Sequence, residues 1–140
     1  MFYKYYAVID TNVVVSSMLS EHSIPAWIIE QVENDIIVPL FNDEILTEYR
    51  DVLSRNDFSF DSKSVDDIIS MFSSKGIKLE RTKTDVFFTD LDDVVFYEIV
   101  MTGRKTNNAY LVTGNQKHFP TKPFVVRPRE MKDIIEGNNK

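Results

Sequence analysis

The chain contains no cysteine, which excludes a disulfide framework and any thiolate metal site. A metal, if one is needed, must be held by oxygen atoms or by the two histidines, His22 and His118. Glycine and proline are scarce, at 4 and 5 of 140 residues, and there is no low-complexity tract, repeat or linker. With 43% hydrophobic and 27% charged residues, that scarcity places the chain among globular proteins and away from disordered ones. No apolar run approaches the ~18 residues of a membrane span. The opening "MFYKYYAVID" lacks a basic segment followed by a long apolar one and a small-residue cleavage site, so the expectation is a soluble cytoplasmic protein. The length suits one domain, residues 1–140.

Positive charge is also scarce overall, since the formal net charge is -6. It is unevenly spread: residues 1–102 hold 8 Lys+Arg and 19 Asp+Glu, a net of -11, and residues 103–140 hold 8 and 3, a net of +5. An acidic protein with such a division can carry a local basic footprint for an anionic partner, although an uneven solvated surface is an equal explanation.

"YYAVI" (5–9) and "AYLVT" (109–113) are short β-branched and aromatic runs without clean alternation, the pattern of strands covered on both faces. "IIVPL" (36–40), "IKLE" (77–80) and "FVV" (124–126) are shorter candidates. Helical stretches lie between them. Ser23 can cap a helix to about Asn34, with Pro25 in its first turn. Asn42 can cap a helix whose Ile45, Leu46, Tyr49, Val52 and Leu53 form one apolar stripe. A third helix runs through "VDDIISMFSSKG" to Gly76, and a fourth starts after Asp90, stops at Gly103 and is apolar nearly all round. Strands alternating with helices in this way predict a three-layer α/β/α sandwich with a largely parallel central sheet.

In such sheets the ligand crevice lies beyond the carboxyl ends of the strands. Asp10 directly follows the first strand, and Thr113 and Asn115 open on the same rim after "AYLVT". On the 42–55 helix, at ~100° per residue, Glu48 falls roughly 100° from the centre of the apolar stripe and Glu44 roughly 140°. Glu48 is therefore the glutamate nearer the buried boundary, an ordinary solvated position being the alternative. Of the carboxylates in "TDLDDVVF", Asp90 and Asp92 have a sufficient structural role at the helix entrance, through capping and the helix dipole. Asp93 shares a face with Phe96, Tyr97 and Val100 and should turn inward. If Asp10, Glu48 and Asp93 converge, each pair of bare charges near ~4 Å repels by ~4 kcal/mol at an effective dielectric of 20, so the cluster needs a cation or protons. An all-oxygen donor set with room for water suits Mg²⁺ or Mn²⁺.

"VIDTNVVVSS", "LTEYRDVL", "DLDDVVFYEIV" and "YLVTGNQKHFP", in this order and spacing, resemble the successive motifs of the PIN domain, in particular the bacterial PIN proteins that serve as toxin components of toxin-antitoxin systems. The resemblance covers nearly the whole chain. It implies a metal-dependent endoribonuclease with acidic positions at Asp10, Glu48 and Asp93, and with Asn12 and Thr113 lining the site. The fourth acidic position, often Asp in the family, is Asn115 here, which keeps a carbonyl oxygen and loses a charge. The implied roles are Asp10 and Asp93 on the cation, and Glu48 and Asn115 positioning water or a second ion. Lys117, Arg104, Lys105, Arg127 and Arg129 are the expected backbone-phosphate contacts, with His118 surface or phosphate-facing. A homodimer and a small antitoxin in the active groove are also implied, with Phe2 and Tyr3 as candidate contact residues. Two alternatives stand beside this. One is a catalytically impaired PIN-like module that binds RNA or protein, favoured by Asn115. The other is a phosphotransferase of haloacid-dehalogenase type with Asp10 as nucleophile, which would want a carboxylate where Asn12 stands.

Overall fold

The computed structural model describes residues 3–138. Five strands, β1 (Tyr5–Ile9), β2 (Ile37–Phe41), β3 (Ile77–Lys78), β4 (Tyr110–Val112) and β5 (Val125–Val126), form one sheet in the order β3-β2-β1-β4-β5. Every neighbouring pair is parallel, with Ala7 opposite Pro39, Ile9 opposite Val112, and Val112 opposite Val126. The expected parallel sheet is thus present and contains no antiparallel strand among the described residues. Consecutive β1 residues Ala7, Val8 and Ile9 are all fully buried. Because successive side chains of a strand point to opposite faces, both faces of the sheet must be covered.

Among the described residues six α-helices provide that cover: α1 (Thr11–Leu19), α2 (Ile24–Glu33), α3 (Asp43–Leu53), α4 (Ser62–Lys75), α5 (Val94–Gly103) and α6 (Pro128–Asn138). The caps read from sequence form as expected. Ser23 Oγ accepts from the Ala26 amide at 3.2 Å and Asn42 Oδ1 from the Ile45 amide at 2.9 Å, satisfying otherwise orphaned donors. Strands begin or end within one or two residues of the apolar runs.

Two helices are not predicted by the sequence. Val13, Val14 and Val15 are β-branched and poor helix formers, yet α1 contains all three, each buried. Packing against the core outweighs their intrinsic preference. In α6, Pro128 takes the first helical position and Met131 and Ile135 bury one side of an otherwise polar segment.

α4 ends at Gly76 for a reason of space. A Cβ there would lie 2.3 Å from the Pro39 carbonyl oxygen and 2.8 Å from that of Phe72, so the helix end and β2 can meet only without a side chain. β3 is shorter than the apolar run suggests, and the chain from Leu79 onward is tied to α5 by side chains instead. Arg81 Nε donates to Glu98 Oε1 at 2.7 Å, and Glu98 Oε2 accepts the Thr84 amide at 2.8 Å. The Thr82 and Thr102 hydroxyls meet at 2.7 Å. Glu98, buried within the apolar helix, is thereby paired and hydrogen-bonded, the condition under which a buried carboxylate is tolerated. This clasp fixes the middle and the carboxyl end of α5, and with them the direction in which its amino end points.

Among the described residues no helix is long and apolar enough to cross a membrane. Replacing Gly76 by Ala should lower stability by about 1–3 kcal/mol through backbone overpacking, read as a lower urea midpoint at unchanged slope.

Candidate active site

The chain winds from β1 outward through β2 to β3, then crosses to the other side of β1 and lays down β4 and β5. The strand order therefore reverses between β1 and β4, and a crevice opens at the carboxyl ends of those two strands. Asp10 is the first residue after β1 and Thr113 the first after β4. Thr113 Oγ1 donates to Asp10 Oδ2 at 2.7 Å, closing the base of the crevice.

Asp10 is only 6% exposed. It caps α1, Oδ1 accepting the Thr11 amide at 2.8 Å, and Oδ2 also accepts from Asn12 Nδ2 at 3.0 Å. Burial pushes its pKa above the ordinary carboxylate value, and the bonds from Thr113, Thr11 and Asn12 oppose that rise. Asn12 then reaches across the crevice, its Oδ1 accepting the Gly114 amide at 3.0 Å. Thr113 Oγ1 accepts the Asn115 amide at 2.9 Å. Asn12 and Thr113 thus fix both the carboxylate and the loop that follows β4.

Above this base is a cleft of about 380 Å³ whose walls include Asp10, Glu48, Asp93, Asn115 and His118. The helical argument separates the two glutamates correctly in space. Ile45, Tyr49 and Leu53 bury the apolar stripe of α3, and the Tyr49 hydroxyl donates to the Ile9 carbonyl, one residue before Asp10. Glu48 is half-buried on the cleft wall, and Glu44 is turned away into an ion pair with Arg81 at 2.9 Å. The pKa of Glu48 is raised by burial and by Asp92, Asp51 and Asp10, against a lowering by Arg55.

At the entrance to α5 the three aspartates divide as their positions suggest. Asp90 Oδ1 caps the turn over Leu91–Asp93 by accepting the Asp92 amide at 2.9 Å, and Asp92 is exposed. The Asp93 side chain makes no capping bond and faces the cleft. Burial, then the charges of Asp10, Asp90 and Asp92, push its pKa up to about 6, with His118 opposing. His118 Nδ1 stands 3.5 Å from Asp93 Oδ2.

The donor set is all oxygen, and the crowded carboxylates stand on the walls of a cleft that solvent reaches. Among the described residues no group of three or more His, Asp or Glu side chains is arranged so that it could hold a metal ion by itself. A cation that keeps several waters and uses one or two carboxylates fits such walls better than one that needs a full protein shell.

The basic residues are split by the fold. Lys117 and His118 lie on the short turn after Asn115, and Arg127 directly follows β5, so these share the carboxyl edge with the acids. Arg129 sits in the first turn of α6 beside them, and Arg127 Nε pairs with Glu130 at 3.2 Å. Arg104 and Lys105 follow the far end of α5, whose ten residues extend about 15 Å from Asp93. Arg104 there donates to the Ala109 carbonyl at 2.6 Å and stacks on Phe124 at 4.2 Å. These two lie away from the cleft. Of the candidate contact aromatics, Tyr3 is exposed and Phe2 falls outside the described residues.

Sequence reading missed Thr11, Ser16 and Phe58 as cleft residues. Thr11 and Ser16 lie on the unpredicted helix α1, so no periodicity was available to place them. Thr11 Oγ1 is a buried side-chain oxygen without a hydrogen-bond partner, next to Asp10.

Comparison with known proteins adds one match. The PIN domain family model matches residues 6–117, four-fifths of the chain and a span that includes Asp10, Glu48, Asp93 and Asn115. No curated protein and no solved structure matches. With the match covering four-fifths of its length, the chain belongs to the PIN domain family.

Proposed function

We propose that this protein is an endoribonuclease dependent on Mg²⁺ or Mn²⁺, acting as the toxin component of a toxin-antitoxin module. PIN domains are typically nucleases, and the observation that supports the finer reading is the convergence of Asp10, Glu48 and Asp93 on one cleft at the strand-order reversal. Asp10 and Asp93 would hold the cation, with Glu48 and Asn115 beside them. When bound, it supplies charge neutralisation for the scissile phosphate and makes a water more acidic. The remaining work falls to the chain. Thr11, Asn12 and Thr113 keep Asp10 in one orientation, so the ligand geometry is set before substrate arrives. Glu48, on the cleft wall and raised in pKa, would orient the attacking water and take its proton. Lys117 and His118 offer donors to the phosphate backbone from the loop after β4, with Arg127 and Arg129 further along the same edge. Arg104 and Lys105 would contribute only to an RNA that extends around the protein. A homodimer and a small antitoxin that occupies the groove complete this reading, which rests there on the likeness of the motifs alone; a cytoplasmic setting is proposed with it.

A second reading is a PIN-like module that binds RNA or a protein without cutting. Asn115 favours it, because an amide in place of a carboxylate reduces the negative charge available to a second ion. A phosphoenzyme mechanism through Asp10 has less support: Asp10 is held by three donors at the base of the crevice, and its neighbour at the next but one position is the amide Asn12.

Purified protein should cut single-stranded RNA with Mg²⁺ or Mn²⁺ and not with EDTA. Asp10→Asn and Asp93→Asn should each reduce cutting by about 100-fold or more. RNA binding without any cleavage would move the assignment to the binding module. The crowding of Asp93 gives a separate test. Its pKa of about 6 in the folded chain, against 3.8 for the free group, means that the folded state binds the extra proton between those values. That contribution therefore favours folding as the pH falls through about 6 and becomes a cost as the pH rises. In EDTA, the stability of Asp93→Asn relative to wild type should grow between about pH 4 and pH 7 by about 1 kcal/mol, solvent screening in the cleft reducing the full effect. Thermal melts of the two proteins across that range read it directly, and a parallel pH dependence in both would contradict the crowding.

A further inference from the structure

Next to the cleft lies a second cavity of about 350 Å³ that shares Asp90, Asp93 and His118 with it. Its outer wall is Phe87, which is 88% exposed. A large aromatic so exposed in a short connecting segment is unusual, and its exposure here is enforced. Phe88, the next residue, is buried against Tyr97 at 5.6 Å and Phe119 at 6.0 Å between ring centres. Upstream, the Thr84 amide is bonded to Glu98, and downstream Asp90 caps the turn that starts α5. The segment is pinned on both sides of Phe87, so the ring is presented to the cavity by a braced support. Lys117 and Pro120 form the opposing part of the lining.

The chemistry of this cavity selects its occupant. A phosphate would meet the carboxylates of Asp90 and Asp93 as well as Lys117 and His118, so the charges of the lining do not select it. A neutral planar ring can stack on Phe87, and its exocyclic amino groups can donate to the carboxylates, while Lys117 faces the backbone that carries it. The space is of the order of a small-ligand site, and its lining is mixed and charged rather than a broad apolar face for a protein.

We propose that Phe87 is a nucleobase-stacking residue, which binds an unstacked base of a single-stranded RNA next to the phosphate that a cation held by Asp93 would position. This inference rests on the ribonuclease reading above and names a residue by which its single-stranded substrate is held: a duplex, whose bases are stacked within the helix, cannot use the site.

The test is single-turnover cleavage of a labelled oligoribonucleotide in Mn²⁺, measured against protein concentration for wild type, Phe87→Ala and Phe87→Trp. A set of oligonucleotides carries one abasic residue moved along the strand. Phe87→Ala should raise the half-saturating concentration about tenfold with little change in maximal rate, and Phe87→Trp should retain wild-type affinity. At one abasic position, wild type and Phe87→Ala should become equal, because the base that distinguishes them is gone. Truncating so exposed a side chain leaves the core intact, and the maximal rate reports that the fold survives. If Phe87→Ala matches wild type on every RNA while cleavage proceeds, the stacking site is overturned and the nuclease reading stands. If wild type cuts no RNA, both are overturned. If Phe87→Ala abolishes a self-associated species in sedimentation and leaves RNA use unchanged, Phe87 is a contact between copies of the chain and the proposal is overturned.

Discussion

A carboxylate at the buried end of the central strand is the constraint around which this protein is arranged. Asp10 cannot be stable there without donors, and each donor that stabilises it fixes another part of the fold. The Thr11 amide starts α1 at that point, Asn12 ties the loop after β4 through Gly114, and Thr113 joins the ends of β1 and β4. Tyr49 adds a bond to the carbonyl just before Asp10 and so locks α3 to the same strand end. One strand end thereby sets the relative positions of two strands and two helices.

The other two carboxylates are placed by opposite devices. Glu48 arrives because α3 buries a clean apolar stripe, which leaves its neighbour one step round the helix at the edge of the cleft. Asp93 arrives because α5 is held by its other end and its side. Glu98 and Arg81 anchor the preceding segment, and Phe88 packs on Tyr97 and Phe119. The price of this convergence is visible in the raised pKa of all three acids, greatest for Asp93. Such mutual repulsion is a poor way to stabilise a fold and a good way to create affinity for a cation.

The division of positive charge has a related logic. Sequence alone puts net +5 in residues 103–140, but the fold sends that charge to two edges. Lys117 and His118 stand beside the acids, with Arg127 and Arg129 further along the same edge. Arg104 is consumed in holding the Ala109 carbonyl and stacking on Phe124, a structural task at the start of β4.

Residue order by itself determined the local features: the buried strand Tyr5–Ile9 ending in Asp10, the caps at Ser23 and Asn42, the stripe of α3 that ranks Glu48 over Glu44, and the all-round apolar α5. These depend on neighbours within a few residues, where spacing and capping chemistry act directly. Tertiary structure alone decided that α1 is helical despite Val13, Val14 and Val15, that β4 lies beside β1, that Arg104 faces away from the cleft, and that Phe87 is forced outward by the burial of Phe88. Those outcomes depend on contacts between residues as distant as Asp10 and Thr113, which no local periodicity encodes.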